Sequence, residues 1–119
     1  MRLSTIPILL LFSIAMAEAR AMPEIEALLQ FVKELDGTTF VRNGDEHTAK
    51  EAESHLRIKW SHQKSKIATV EDFVRLCATK SSISGKAYLI RFKDGSEEEA
   101  AKVLLKQLRM IRLAPAKDQ

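Results

Sequence analysis

The sequence predicts an α+β fold: four helices with a small antiparallel sheet in the order α-ββ-α-α-β-α, one domain behind an N-terminal signal peptide. Apolar residues recur at helical spacing in four stretches. Short runs of β-branched and aromatic residues stand between them, and an Asn-Gly pair closes one of these runs. At 119 residues, with 45% apolar and 29% charged side chains, the chain suits one domain and is not disordered throughout. Four glycines and three prolines exclude a linker or fibrous repeat, and a single cysteine excludes an intramolecular disulfide.

Residues 1–21 read as the signal peptide. Arg2 supplies a positive n-region, Ile6 to Ile14 an apolar h-region, and Ala15-Met16-Ala17 or Ala19-Arg20-Ala21 a small-residue cleavage site. Cleavage is expected after Ala17 or Ala21. A retained membrane span needs about 20 apolar residues, and Glu18 and Arg20 break the run before that. The expected location is therefore periplasmic or secreted, with no retained membrane span. Arg2, Glu18 and Arg20 leave with the first 21 residues, so 17 basic and 15 acidic side chains remain. Such interspersed, nearly balanced charge argues against nucleic acid as a partner.

The domain is expected over residues 22–113, with a frayed tail at 114–119. Its first helix opens near Pro23, buries Ile25, Leu28, Leu29, Val32 and Leu35, and stops at Gly37. Thr38 to Arg42 reads as a strand. Asn43-Gly44 suits a tight turn with positive φ at both central positions, and Asp45-Glu46-His47 returns as a polar edge strand. Thr48 with Glu51 forms a capping box for a second helix, whose apolar stripe is Ala49, Ala52, Leu56 and Trp60. His55 and Lys59 flank that stripe. Thr69 with Asp72 opens a third helix through Thr79, burying Val70, Phe73, Val74 and Cys77. A polar loop, Lys80 to Lys86, leads to a strand over Ala87 to Phe92. Ser96 with Glu99 reads as a third capping box, for a last helix that buries Ala100, Val103, Leu104 and Leu108.

Phe40-Val41-Arg42-Asn43-Gly44, then Ala52 with His55-Leu56 and Lys59, then Lys80-Ser81-Ser82-Ile83-Ser84-Gly85 with Tyr88, occur in that order. In these strings the chain resembles a family of small exported bacterial proteins, domain of unknown function 5329. The likeness runs from the first helix to the last. It departs at Lys102-Val103-Leu104, where the family tends to carry a tryptophan before its final leucines. The resemblance implies export and no particular activity.

Candidate chemistry is sparse. Three histidines and one thiol offer no ligand pair at helical spacing, since His55 and His62 are seven residues apart, so neither a metal nor another cofactor is expected. A small hydrolase using Ser81, Ser82 or Ser84 with Lys80, Lys86 or His55 is one alternative, although no nucleophile elbow and no Ser-x-x-Lys pair is present. No catalytic residue is assigned. A structural envelope protein pairing through an exposed sheet edge is a second alternative. The preferred reading is a non-catalytic binding or scaffolding module of the bacterial envelope, whose partner is an envelope protein or a small anionic ligand. Its binding residues would be Arg42, Asn43, His55, Lys59, Lys80, Ser81, Ser82, Ser84 and Gly85, converging into one polar cluster. Such a cluster serves as a hydrogen-bonded brace or as an anion pocket. Satisfaction within the fold is the commoner arrangement for such groups.

Overall fold

The computed structural model describes the backbone of residues 8–114 and the side chains from Ala19 onward. The n-region, the start of the h-region and residues 115–119 of the tail expected at 114–119 lie outside the described residues. The elements are α1 (Ile8–Lys33), β1 (Thr39–Arg42), β2 (Asp45–His47), α2 (Ala49–Gln63), α3 (Val70–Cys77), β3 (Leu89–Arg91), β4 (Glu97–Glu99) and α4 (Ala100–Leu113). A short 3₁₀ turn, Lys64–Lys66, follows α2. Four helices and an antiparallel sheet are the expected architecture, with one more strand than the sequence suggested.

Two of the three capping boxes form as read. Thr48 and Glu51 exchange side-chain-to-backbone bonds at the start of α2, and Thr69 and Asp72 do the same for α3. The third does not form. Glu97–Glu99 pairs with Leu89–Arg91 as β4, and α4 begins only at Ala100, with Glu99 at its N-cap and no side-chain cap. Ser96 instead bonds Asp94 within the preceding turn. Local capping chemistry lost here to ladder hydrogen bonds from a strand already in place. Boundaries also differ: β3 covers only Leu89–Arg91 of the expected Ala87 to Phe92, and β1 begins at Thr39 rather than Thr38. α3 stops at Cys77 rather than Thr79, whose hydroxyl bonds the Val74 carbonyl. Pro23 lies inside α1 rather than in its first turn, because helix continues on its N-terminal side.

The sheet order is β2-β1-β3-β4, antiparallel throughout. Asn43 at φ 55° and Gly44 at φ 79° make the β1–β2 turn, the left-handed pair expected of a tight hairpin. Phe40 and Ile90 face each other across β1 and β3 and point into the core. There they meet Ile25, Leu28, Leu29 and Val32 of α1, Phe73 and Val74 of α3, and Leu104 of α4. Trp60 closes α2 onto α3 through an edge-to-face contact with Phe73 at 6.0 Å. Cys77 is fully buried in this core, and burial raises its thiol pKa. Among the described residues no helix is long and apolar enough to cross a membrane.

Candidate functional site

α2 follows β2 directly, and its Thr48 cap sets the helix phase. That phase turns His55 and Lys59, one turn apart, toward the sheet. Arg42, the last residue of β1, reaches His55: its Nη1 lies 2.5 Å from Nδ1 and 3.0 Å from Nε2. Tyr88, just before β3 and only 8% exposed, completes the group. Its hydroxyl lies 3.4 Å from His55 Nε2 and accepts from Lys59 Nζ at 3.0 Å. Lys59 also donates to the Lys80 carbonyl at 3.3 Å, and its ammonium sits 5.0 Å from the centre of the Tyr88 ring. His55 packs edge-on against the same ring at 5.9 Å.

The protons can be assigned from the partners. Arginine is always charged and only donates, so the His55 nitrogen nearest it, Nδ1, must offer a lone pair. With that tautomer Nε2 carries the proton and faces the Tyr88 oxygen, which also accepts from Lys59. Burial, followed by the charges of Arg42, Lys59 and His47, pushes His55 down to a pKa of about 4, which agrees with a neutral ring. Among the described residues neither Arg42 nor Lys59 makes a salt bridge, although Asp45 stands opposite Arg42 in the ladder and Glu51 lines the neighbouring cavity. Two cations therefore converge on neutral acceptors alone.

The other expected site residues serve the loop. Ser81 is buried, and its Oγ accepts from the Ile83 and Ser84 amides at 3.1 and 3.3 Å. Ser84 donates to the Asn43 side-chain oxygen and accepts from the Lys86 amide, so it ties this loop to the hairpin turn. The Gly85 amide closes the turn on the Ser81 carbonyl at 3.0 Å, with Gly85 itself at φ 73°. Ser82 is exposed, and Lys80 contributes its carbonyl rather than its charge. Among the described residues no serine hydroxyl is hydrogen-bonded to a lysine or histidine side chain, the contact that a Ser/Lys/His hydrolase would use. No group of three His, Cys, Asp or Glu side chains converges to hold a metal among them either.

The polar cluster borders a cavity of about 600 Å³ between α2 and the sheet, with Val32, Phe40, Ala52, Leu56, Ile90 and Leu104 in its wall. The ladder sets Phe40 opposite His47 and Arg42 opposite Asp45, so Arg42 and His47 share one face of the hairpin. His47 also lines the cavity, and its Nε2 is buried without a hydrogen-bond partner. Tyr88 and His47 were missing from the expected site. Tyr88 stood in the family-like strings, where its proximity to a loop of hydroxyls was a usable signal; nothing local marked His47.

The model of a family of unknown function (DUF5329) matches residues 19–112. The uncharacterised protein YfeK of Salmonella typhimurium is 42% identical over 74 residues, which cover 62% of this chain and 62% of that relative. No solved structure matches the chain.

Proposed function

Because the chain belongs to the family of unknown function DUF5329, its role has to be read from the site, and we propose that it is an exported, non-catalytic binding module of the bacterial envelope whose Arg42–His55–Tyr88–Lys59 cluster takes an anion. The observation that carries this reading is the meeting of two cations on neutral acceptors. Arg42 and Lys59 make no salt bridge among the described residues and bond only neutral groups, the His55 ring, the Tyr88 hydroxyl and the Lys80 carbonyl. A carboxylate or phosphate oxygen supplies what the cluster lacks. A sheet-edge partner is less favoured, since both edge strands are three residues long and largely acidic.

Lys59→Met separates a pocket from a brace. For a pocket, the variant is at least as stable as the parent and loses the rise in melting temperature caused by millimolar inorganic phosphate. For a brace, it loses about 1–3 kcal/mol, because buried partners are stranded, and phosphate has no effect on the parent. The second outcome would overturn the proposal.

Export rests on the n-, h- and c-regions of residues 1–21. Ala21 is only 5% exposed and belongs to the core. Cleavage after Ala17 keeps it, whereas cleavage after Ala21 removes it, so the earlier site is preferred. Expressed in a Gram-negative host, the protein should be recovered from the periplasm beginning at Glu18. Recovery with Met1 intact in a membrane fraction would contradict export.

A further inference from the structure

The cavity beside the polar cluster is larger than a small inorganic anion requires. About 600 Å³ falls in the range of roughly 300–1,000 Å³ usual for organic ligands. Its wall is mainly aliphatic and aromatic: Phe40 and Ile90 from the sheet, Ala52 and Leu56 from α2, Val32 from α1 and Leu104 from α4. α2 lies on α1 and α3, and between its N-terminal half and the sheet this space remains. Arg42 stands on its wall with the neutral His55 and with Tyr88 beside it, and Lys59 is bonded to the Tyr88 hydroxyl; Lys50 and Glu51 of the first turns of α2 line the same space. An inorganic ion would use that cluster and leave the apolar wall uncovered.

We infer that the ligand of this site is an anionic amphiphile, with its acyl chain along the cavity and its carboxylate or phosphate on Arg42, Tyr88 and Lys59. The inference rests on the anion-binding reading above and adds the apolar half of the ligand. Charge complementarity selects the head group: Arg42 and Lys59, neither of them in a salt bridge among the described residues, favour an anion over a cationic or neutral head. The apolar wall selects the tail, because each methylene removed from water adds to affinity until the cavity is filled.

The test is calorimetric titration of the purified protein with acetate, octanoate, dodecanoate, inorganic phosphate and dodecyltrimethylammonium, all below their micellar concentrations. Affinity should rise from acetate through octanoate to dodecanoate by at least about a hundredfold, as methylene burial implies. The cationic amphiphile should not compete. Ala52→Trp, which fills the cavity from α2, should abolish binding of dodecanoate and spare that of phosphate. Arg42→Met should weaken both by about tenfold or more; its circular dichroism and melting temperature report whether it is folded, and Lys59→Met provides a second removal of charge. If acetate, phosphate and dodecanoate bind alike and Ala52→Trp changes nothing, the amphiphile is excluded and the anion site stands. If dodecyltrimethylammonium binds as well as dodecanoate, or if no anion binds at all, both readings fall.

Discussion

His55 meets two cations, Arg42 and Lys59, in a half-buried seam, and burial comes before either charge among the causes that hold its imidazole near a pKa of 4. A histidine lowered from 6.5 to about 4 makes stability depend on pH with a definite sign. Above pH 6.5 it is neutral whether the chain is folded or not, and no penalty applies. Between 6.5 and 4 the unfolded chain takes up the proton and the folded one does not, so stability falls as pH falls. Below 4 both states are charged and the loss is complete. One pKa unit is worth about 1.4 kcal/mol, and partial exposure discounts the total to about 1–2 kcal/mol. His55→Gln should flatten this part of the profile in urea melts between pH 7 and 4. An undiminished slope would mean that His55 is not the group responsible. The residue scale is also where sequence reading fell short. Helical spacing located His55 and Lys59 on one flank. It could not reveal that Tyr88, just before β3, would contact both.

The elements divide by the range of the interactions that form them. Thr48 with Glu51 and Thr69 with Asp72 were legible because a capping box is complete within four residues. Ser96 with Glu99 has a similar string, yet Glu97–Glu99 is strand because β3 lies beside it, and no local rule registers that neighbour. The β1–β2 hairpin was legible for the first reason: its turn needs two positive φ values, and Asn43-Gly44 tolerates both. Gly44→Val tests this at the element where it acts. A Cβ at Gly44 meets no atom within 4 Å, so any loss comes from backbone strain and not from a clash. The expected cost is about 1–2 kcal/mol or more for a β-branched residue in the left-handed region. Gly44→Asn should recover most of it, since asparagine tolerates that region. Equal losses for valine and asparagine in thermal melts would show that space, not φ, governs the turn. Because Ser84 ties its loop to Asn43, the valine variant should also weaken phosphate binding at Arg42.

At the scale of the whole molecule, the first, third and last helices are joined by one side chain that no periodicity singled out. Arg112, near the end of α4, makes a two-pronged bond to Glu24 of α1 at 2.9 and 3.0 Å and reaches Glu71 of α3 at 3.3 and 3.4 Å. The contact spans 88 residues, so it emerges only once the apolar stripes have packed the helices together. The two carboxylates differ in setting: the Glu24 side chain is 12% exposed and that of Glu71 is 55%. Solvent screens the second pair, while the first keeps bidentate geometry in a partly desolvated seam. Glu24 is accordingly held below the usual glutamate range, chiefly by its bond to Arg112. A carboxylate lowered in the folded state contributes stability above the ordinary pKa of 4.5, and the contribution fades as pH falls below that. This window begins where that of His55 is closing, so acid should weaken the fold in two successive stages. Arg112→Met should cost about 1 kcal/mol at pH 7. Double-mutant cycles in urea should assign a coupling of roughly 0.5–1 kcal/mol to Glu24→Gln and near zero to Glu71→Gln. Equal couplings would mean that desolvation of Glu24 offsets its better geometry, and the apolar core alone would then hold the ends of the chain together.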